Sequence, residues 1–164
     1  SKYDFDVGVL AGYMLILTKP FVEKFPIINL HPALPDGPKG TWQEVIQELI
    51  TSDARKTGLM IHRVTAEVDL GPVLATCEFQ LDGVRFNDAK QAIKENIDLN
   101  TSELFKLIRE ETVKRESPFV TALLQEIAQG KISIQNTYPP TNTLPNKYLP
   151  ADLTIQVEKW LEKN

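Results

Sequence analysis

The chain has 164 residues, a net charge of −4, 42% hydrophobic and 24% charged side chains, figures that fit one soluble globular domain with a real core. The acidic balance argues against a whole-surface attraction to nucleic acid. A lone cysteine, Cys77, cannot close an internal disulfide, no apolar run is long enough for a bilayer, and the start SKYDFDVGVL lacks a basic leader, so the expectation by elimination is a cytoplasmic chain with no membrane partner.

In chain order, Val7 to Leu10 form a short apolar run, as a strand buried on both faces would. Gly12 allows a tight exit. Thr18 before Lys19-Pro20 reads as an N-cap with proline in the first turn, predicting a short helix over Pro20–Lys24. Ile27 to Leu30 is a second buried strand, ending in the loop HPALPDGPKG. Val45, Ile46, Leu49 and Ile50 predict a helix over Trp42–Ile50. Strands follow at Gly58–Val64 and Val73–Leu81, separated by the loop Thr65–Pro72.

The second half is more helical. Asn100, Thr101 and Ser102 offer caps before Leu104, Leu107 and Ile108. A separate helix is predicted over Pro118–Ala128, stopping at Gly130, with a terminal strand at Lys131–Ile134. Asn136–Pro150 reads as an extended surface connection. A last helix should bury Leu153, Val157, Trp160 and Leu161. Strands mixed with helices predict a single α/β domain over residues 1–164, with antiparallel pairing where loops are short. The strand at Val7–Leu10 lacks an obvious cover, which makes the sheet edge a candidate surface for homo-oligomer formation.

Asn29 and His31 are the first chemical constellation. Two residues apart on an extended segment, they face one side, and they sit where a strand gives way to a loop, the end at which open α/β sheets bind ligands. An amide can hold a developing oxyanion and an imidazole can handle a proton, which suits acyl transfer. Taken alone, a turn asparagine and a surface histidine explain the pair as well. Asp69, in AEVDLGPV, could fold back and orient His31, or serve as a plain turn aspartate. His62 reads as a core histidine with one satisfied nitrogen. His31, His62 and Cys77 have no metal-ligand spacing, so no metal is expected. Met14 and Met60 read as core filler.

The fragments AGYMLIL, PFV, INLHPALP, a Lys-Gly pair, TGLMIHRV and EVDLGPV occur in this order, and in that order they resemble the folate-dependent formyltransferases. The likeness is nearest to the branch that formylates glycinamide ribonucleotide in purine synthesis, and it is best from Asp6 to Leu81. It implies a Rossmann-like formyltransferase fold, a mixed sheet flanked by helices, of which this chain would be the C-terminal catalytic part, incomplete at its N-terminal side. The co-substrate implied is 10-formyltetrahydrofolate, with a small-molecule amine as the other partner. By resemblance the catalytic residues are Asn29, His31 and Asp69. The folate would meet Leu15, Ile16, Leu17, Phe21 and Val22, and the stretch Val64, Thr65, Ala66, Glu67 and Val68. The amine substrate would meet Met14, Leu30, Pro32 and Glu116, the last holding its ribose.

Departures from the family pattern also stand in the sequence. Leu15 replaces a common Arg, Ala33 replaces a serine after His-Pro, Pro35-Asp36-Gly37-Pro38 is atypical, and the stretch Gln80–Thr101 is long. The family's Gly-Ser-Asn phosphate loop finds no counterpart here. Three rival readings therefore accompany the first. A deformylase would use water as acceptor, but resembles His-His-Ser where this chain has His31-Pro32-Ala33. Other formyltransferases act on sugar amines or methionyl-tRNA. A folate-binding fragment without catalysis is the alternative from another class.

Overall fold

A computed structural model describes residues 4–13, 15–67, 69–93, 99–135 and 149–164. Met14, Val68, most of Asn136–Pro150 and part of the stretch Gln80–Thr101 lie outside the described residues. Among the described residues the strands and α-helices follow in the order β1 (Gly8–Ala11), α1 (Lys19–Lys24), β2 (Ile27–His31), α2 (Trp42–Thr51), β3 (Lys56–Arg63), β4 (Val73–Gln80), α3 (Val84–Ala92), α4 (Glu103–Ala128), β5 (Ala151–Asp152) and α5 (Thr154–Leu161).

The five strands make one open mixed sheet in the order β1-β2-β3-β4-β5. β1 and β2 run parallel, β2–β3 and β3–β4 antiparallel, and β4–β5 parallel. The apolar runs become the central strands because both of their faces are covered: Ile28, Leu59, Ile61 and Ala75 are fully buried. α2 is set by a capping box, in which the Thr41 hydroxyl accepts from Glu44 N–H and the Glu44 carboxylate accepts from Thr41 N–H at 2.7 Å. The core joins β2, β3 and β4 to α2 and α4 through Val45, Leu49, Leu107, Phe119 and Leu123.

Several expectations are corrected. The first strand is not buried on both faces: Gly8 and Leu10 are half-buried while Ala11 and Val9, the latter 37% exposed, are open, because β1 pairs with β2 alone among the described residues. α4 is one helix through Pro118 rather than two. Proline removes one backbone donor and usually breaks a helix, but here Pro118 is itself buried beside Phe119 on the stripe that holds α4 to the sheet. Lys131–Ile134 is not a strand. In α5 the buried stripe runs through Leu153 and Val157, and Trp160 falls off it, 46% exposed. α3 was not predicted, because only Phe86 and Ala89 of its residues are buried and its periodicity is weak.

Candidate active site

The carboxyl end of β2 sets the site. Asn29 and His31 point to the same face of the strand, and antiparallel register places His62 of β3 directly beside Asn29. The β3–β4 pairing is irregular between Ile61 and His62, the kind of local bulge that re-aims a side chain near a functional site.

The loop after β3 brings in the carboxylate. Its base is closed by Arg63 N–H donating to Pro72 O at 2.9 Å and Val64 N–H donating to Ile27 O at 2.8 Å. Gly71 lies flat against this base, and a Cβ there would stand 1.7 Å from the Arg63 carbonyl oxygen, so no side chain fits. Asp69 itself adopts a left-handed backbone, φ 54°, a conformation that aspartate and asparagine tolerate better than most residues.

Four polar side chains therefore meet. Asn29 Nδ2 approaches His62 Nε2 at 3.3 Å and donates to Asp69 Oδ1 at 3.5 Å. Asp69 Oδ1 lies 3.4 Å from His62 Nε2, and Oδ2 lies 4.0 Å from His31 Nδ1. The other nitrogen of His31 faces the Pro38 carbonyl at 3.5 Å, and His62 Nδ1 faces the Arg63 carbonyl at 3.1 Å. Donation from His62 Nδ1 to that carbonyl leaves Nε2 as an acceptor, able to take one Asn29 amide hydrogen while Asp69 takes the other. Burial lowers the pKa of His62 below 6.5, against the opposing pull of the Arg63 carbonyl and Asp69, which keeps it neutral. His62 is thus the core histidine with one satisfied nitrogen that the sequence suggested, and through its other nitrogen also a partner in the cluster. Only its register opposite Asn29 could have revealed this, and register is not printed in an apolar strand.

These groups line a cleft of about 430 Å³. Leu15, Ile16 and Leu17 form one side, and Val64, Thr65, Ala66 and Glu67 form another, with Leu30, Pro32 and Glu116 also in the wall. Leu15 and Ile16 are 71% and 78% exposed, an apolar surface of the kind that ligands cover. Phe21 and Val22 do not line the cleft: Phe21 packs on Phe25 with ring centroids 4.8 Å apart, and Val22 is buried. Trp42 at the start of α2 and Arg109 on α4 are among the lining residues that carried no signal in the sequence. Met14 and Val68 lie outside the described residues.

A sequence model described as Formyl transferase matches residues 1–106. The chain belongs to the formyl transferase family. Among its relatives is phosphoribosylglycinamide formyltransferase of Dictyostelium discoideum, 38% identical over an alignment of 85 positions that covers 46% of this chain and 41% of that protein. Methionyl-tRNA formyltransferase of Fervidobacterium nodosum is 26% identical over 159 residues, 97% of this chain and 41% of that one. The crystal structure of phosphoribosylglycinamide formyltransferase from Campylobacter jejuni superposes with a TM-score of 0.56 at 28% identity, covering 75% of this chain and 55% of that chain. This formyl transferase chain accordingly spans about half, or less, of the length of these relatives. Its open mixed sheet with flanking helices is the family's Rossmann-like arrangement. Among the described residues no helix is long and apolar enough to cross a membrane.

Proposed function

We propose that the cleft transfers a formyl group from 10-formyltetrahydrofolate to the amine of glycinamide ribonucleotide, a step of purine biosynthesis. The observation that carries the reading is the meeting of Asn29, His31 and Asp69 at the end of β2, inside a cleft with an apolar slot beside it. The slot has the right character for a flat heteroaromatic ring: apolar walls from Leu15, Ile16 and Val64, and loop backbone from Thr65 to Glu67 along its edge. Its volume is within the range of about 300–1,000 Å³ usual for small-molecule sites.

When bound, the folate supplies the formyl carbon and the nitrogen that leaves it. Asn29 holds the formyl oxygen through Nδ2–H as negative charge develops there. To do so it must give up one of its two long contacts, to His62 or to Asp69, and both are weak enough to be exchanged. The His31 ring stands beside the same oxygen, where it stabilises that charge or relays a proton. Asp69 faces Nδ1 of that ring and orients it, and relays the proton that the attacking amine loses, through water, to the nitrogen that leaves the formyl carbon. His62 keeps Asn29 and Asp69 in place from below.

The test is a formyl-transfer assay with glycinamide ribonucleotide, run beside calorimetric titration of a folate analogue. Folate binding with transfer to this acceptor supports the reading. Transfer to methionyl-tRNA instead would move the acceptor towards that of the Fervidobacterium relative, and release of formate alone would make the chain a deformylase. A single domain over residues 1–164, cytoplasmic location and pairing of two copies along the β1 edge belong to the same proposal. For the last, the exposed Phe5 and Val9 are the motive, and sedimentation at several concentrations is the test.

A further inference from the structure

The open rim of the cleft is apolar on the side of the loop after β1. Tyr13, Leu15 and Ile16 all line the cleft and stand 46%, 71% and 78% exposed. Single exposed apolar residues are ordinary on a soluble surface, but three along one rim make an area that a bound ligand covers. The loop after β3 supplies another side, where Ala66 and Glu67 are exposed. There the Thr65 hydroxyl donates to the Glu67 carbonyl at 3.0 Å, a short-range bond that holds the loop backbone in its turn.

The charges of the wall are mostly negative. Glu44, Glu67, Asp69 and Glu116 are carboxylates, and Arg109 is the one lysine or arginine among the described lining residues. That guanidinium is already engaged: Nη1 pairs with Glu116 at 3.1 Å, and the group lies 4.5 Å from the centroid of the Trp42 ring. An arm of a ligand that leaves the slot between the two loops therefore meets apolar side chains and the Glu67 carboxylate.

We propose that Leu15 and Ile16 determine donor specificity: they cover the uncharged aromatic arm of a pteridine donor, and the rim gives no binding energy to the acidic tail that folates carry beyond that arm. The proposal rests on the formyl-transfer reading for the identity of the donor. An aromatic amide laid on two aliphatic side chains gains from the apolar area removed from water, whatever stands at its far end. A carboxylate beyond it gains only where a cation faces it. Against Glu67 it is repelled, though weakly, because both groups stay in water. The donor is thus selected by its rings and not by its glutamate.

The test is calorimetric titration of the unaltered chain with three ligands: 5,8-dideazafolate, its counterpart with a primary amide in place of the whole glutamate, and its counterpart with two further glutamates. The uncharged amide should bind as tightly as 5,8-dideazafolate, within about twofold, and the triglutamate no more tightly than either. In Leu15→Arg the affinity ratio of glutamylated to amide ligand should rise about two- to fivefold, the range of an exposed ion pair. In Leu15→Gln all three ligands should weaken together, with that ratio unchanged. A glutamylated form bound by the unaltered chain more than about twofold more tightly than the amide, or a ratio that Leu15→Arg leaves unmoved, would overturn the proposal with the formyl-transfer reading intact. Failure of all three ligands to bind would overturn both.

Discussion

α4 carries two arginines stacked on aromatic rings, and they are built differently. At 3.6 residues per turn, Arg109 and Glu116 fall within about 20° of each other and Glu111 and Arg115 on the opposite side. Arg115 is closed: Nε and Nη2 donate to Glu158 at 2.7 and 3.2 Å, Nη1 donates to the Glu111 carboxylate at 2.6 Å and to its carbonyl at 2.8 Å, and Phe79 lies 4.4 Å beneath. Its side chain is 8% exposed, against 34% for Arg109. The first cluster ties α4 to α5 and over β4, and it is complete without a ligand. The second makes a single ion pair, Nη1 to Glu116 at 3.1 Å, against the several of Arg115, and the Asn29–His62–Asp69–His31 group is held at longer separations of 3.3–4.0 Å. Short, saturated contacts mark a charge that serves the fold, and long ones mark groups that can exchange a partner for a substrate.

The protonation states follow the same division. Burial alone would raise the Glu111 carboxyl, but Lys114 and Arg115 together hold it below its ordinary value of 4.5. Burial likewise works against the Arg115 charge and is outweighed by Glu158 and Glu111, so its pKa is raised. Beneath them Cys77 is pushed up to about 12 by burial, which makes it an inert core thiol. In the cleft, burial wins at His62.

The comparison is broken most decisively by exchanging loss of rate for loss of stability. Asp69→Asn should lower formyl transfer by about 10²–10⁴, the usual contribution of a positioned acid or base, with the urea midpoint almost unmoved. Arg115→Met should do the reverse: about 3 kcal/mol of stability lost, the lower end for removing one partner of a buried ion pair because Glu158 keeps part of its hydration, and an unchanged rate per folded molecule. A drop in rate there would show that the two faces of α4 are coupled. Gly71→Ala should sit between, costing about 1–3 kcal/mol through overpacking and also slowing transfer, since the loop that holds Asp69 must move off the Arg63 carbonyl.

The smallest effect is the acid sensitivity of His62. Its folded pKa lies below 6.5, so the unfolded chain binds more protons and stability rises with pH through that region. Stability is therefore lost as pH falls below about 6.5 towards the lower folded value. The urea midpoint should fall between pH 7.5 and 5.5, and by less in His62→Gln. An identical fall in that variant would place the sensitivity elsewhere.

Much of this was legible in the residues themselves. The apolar runs of β2, β3 and β4 and the apolar spacing of α2 are local signals, and so is the two-residue spacing of Asn29 and His31. What escaped depends on partners distant in sequence. Pro118 reads as a helix start, yet the buried stripe from Leu104 to Leu123 carries α4 through it. Trp160 reads as core, yet α5 turns Leu153 and Val157 inward. His62 reads as core, and it is buried, but strand register makes it a neighbour of Asn29. Arg109 is an ordinary helix arginine until Trp42 is placed beneath it.

The central claim is that the cleft groups are poised to exchange partners while the Arg115 cluster is not. Side-chain amide and guanidinium resonances report this directly during titration with 5,8-dideazafolate. The account predicts that the Asn29 Nδ2 signals shift as the ligand binds, while the Arg115 Nε signal stays in place. Saturation of the site with Asn29 unmoved, or with Arg115 shifting as far as Asn29, would contradict it.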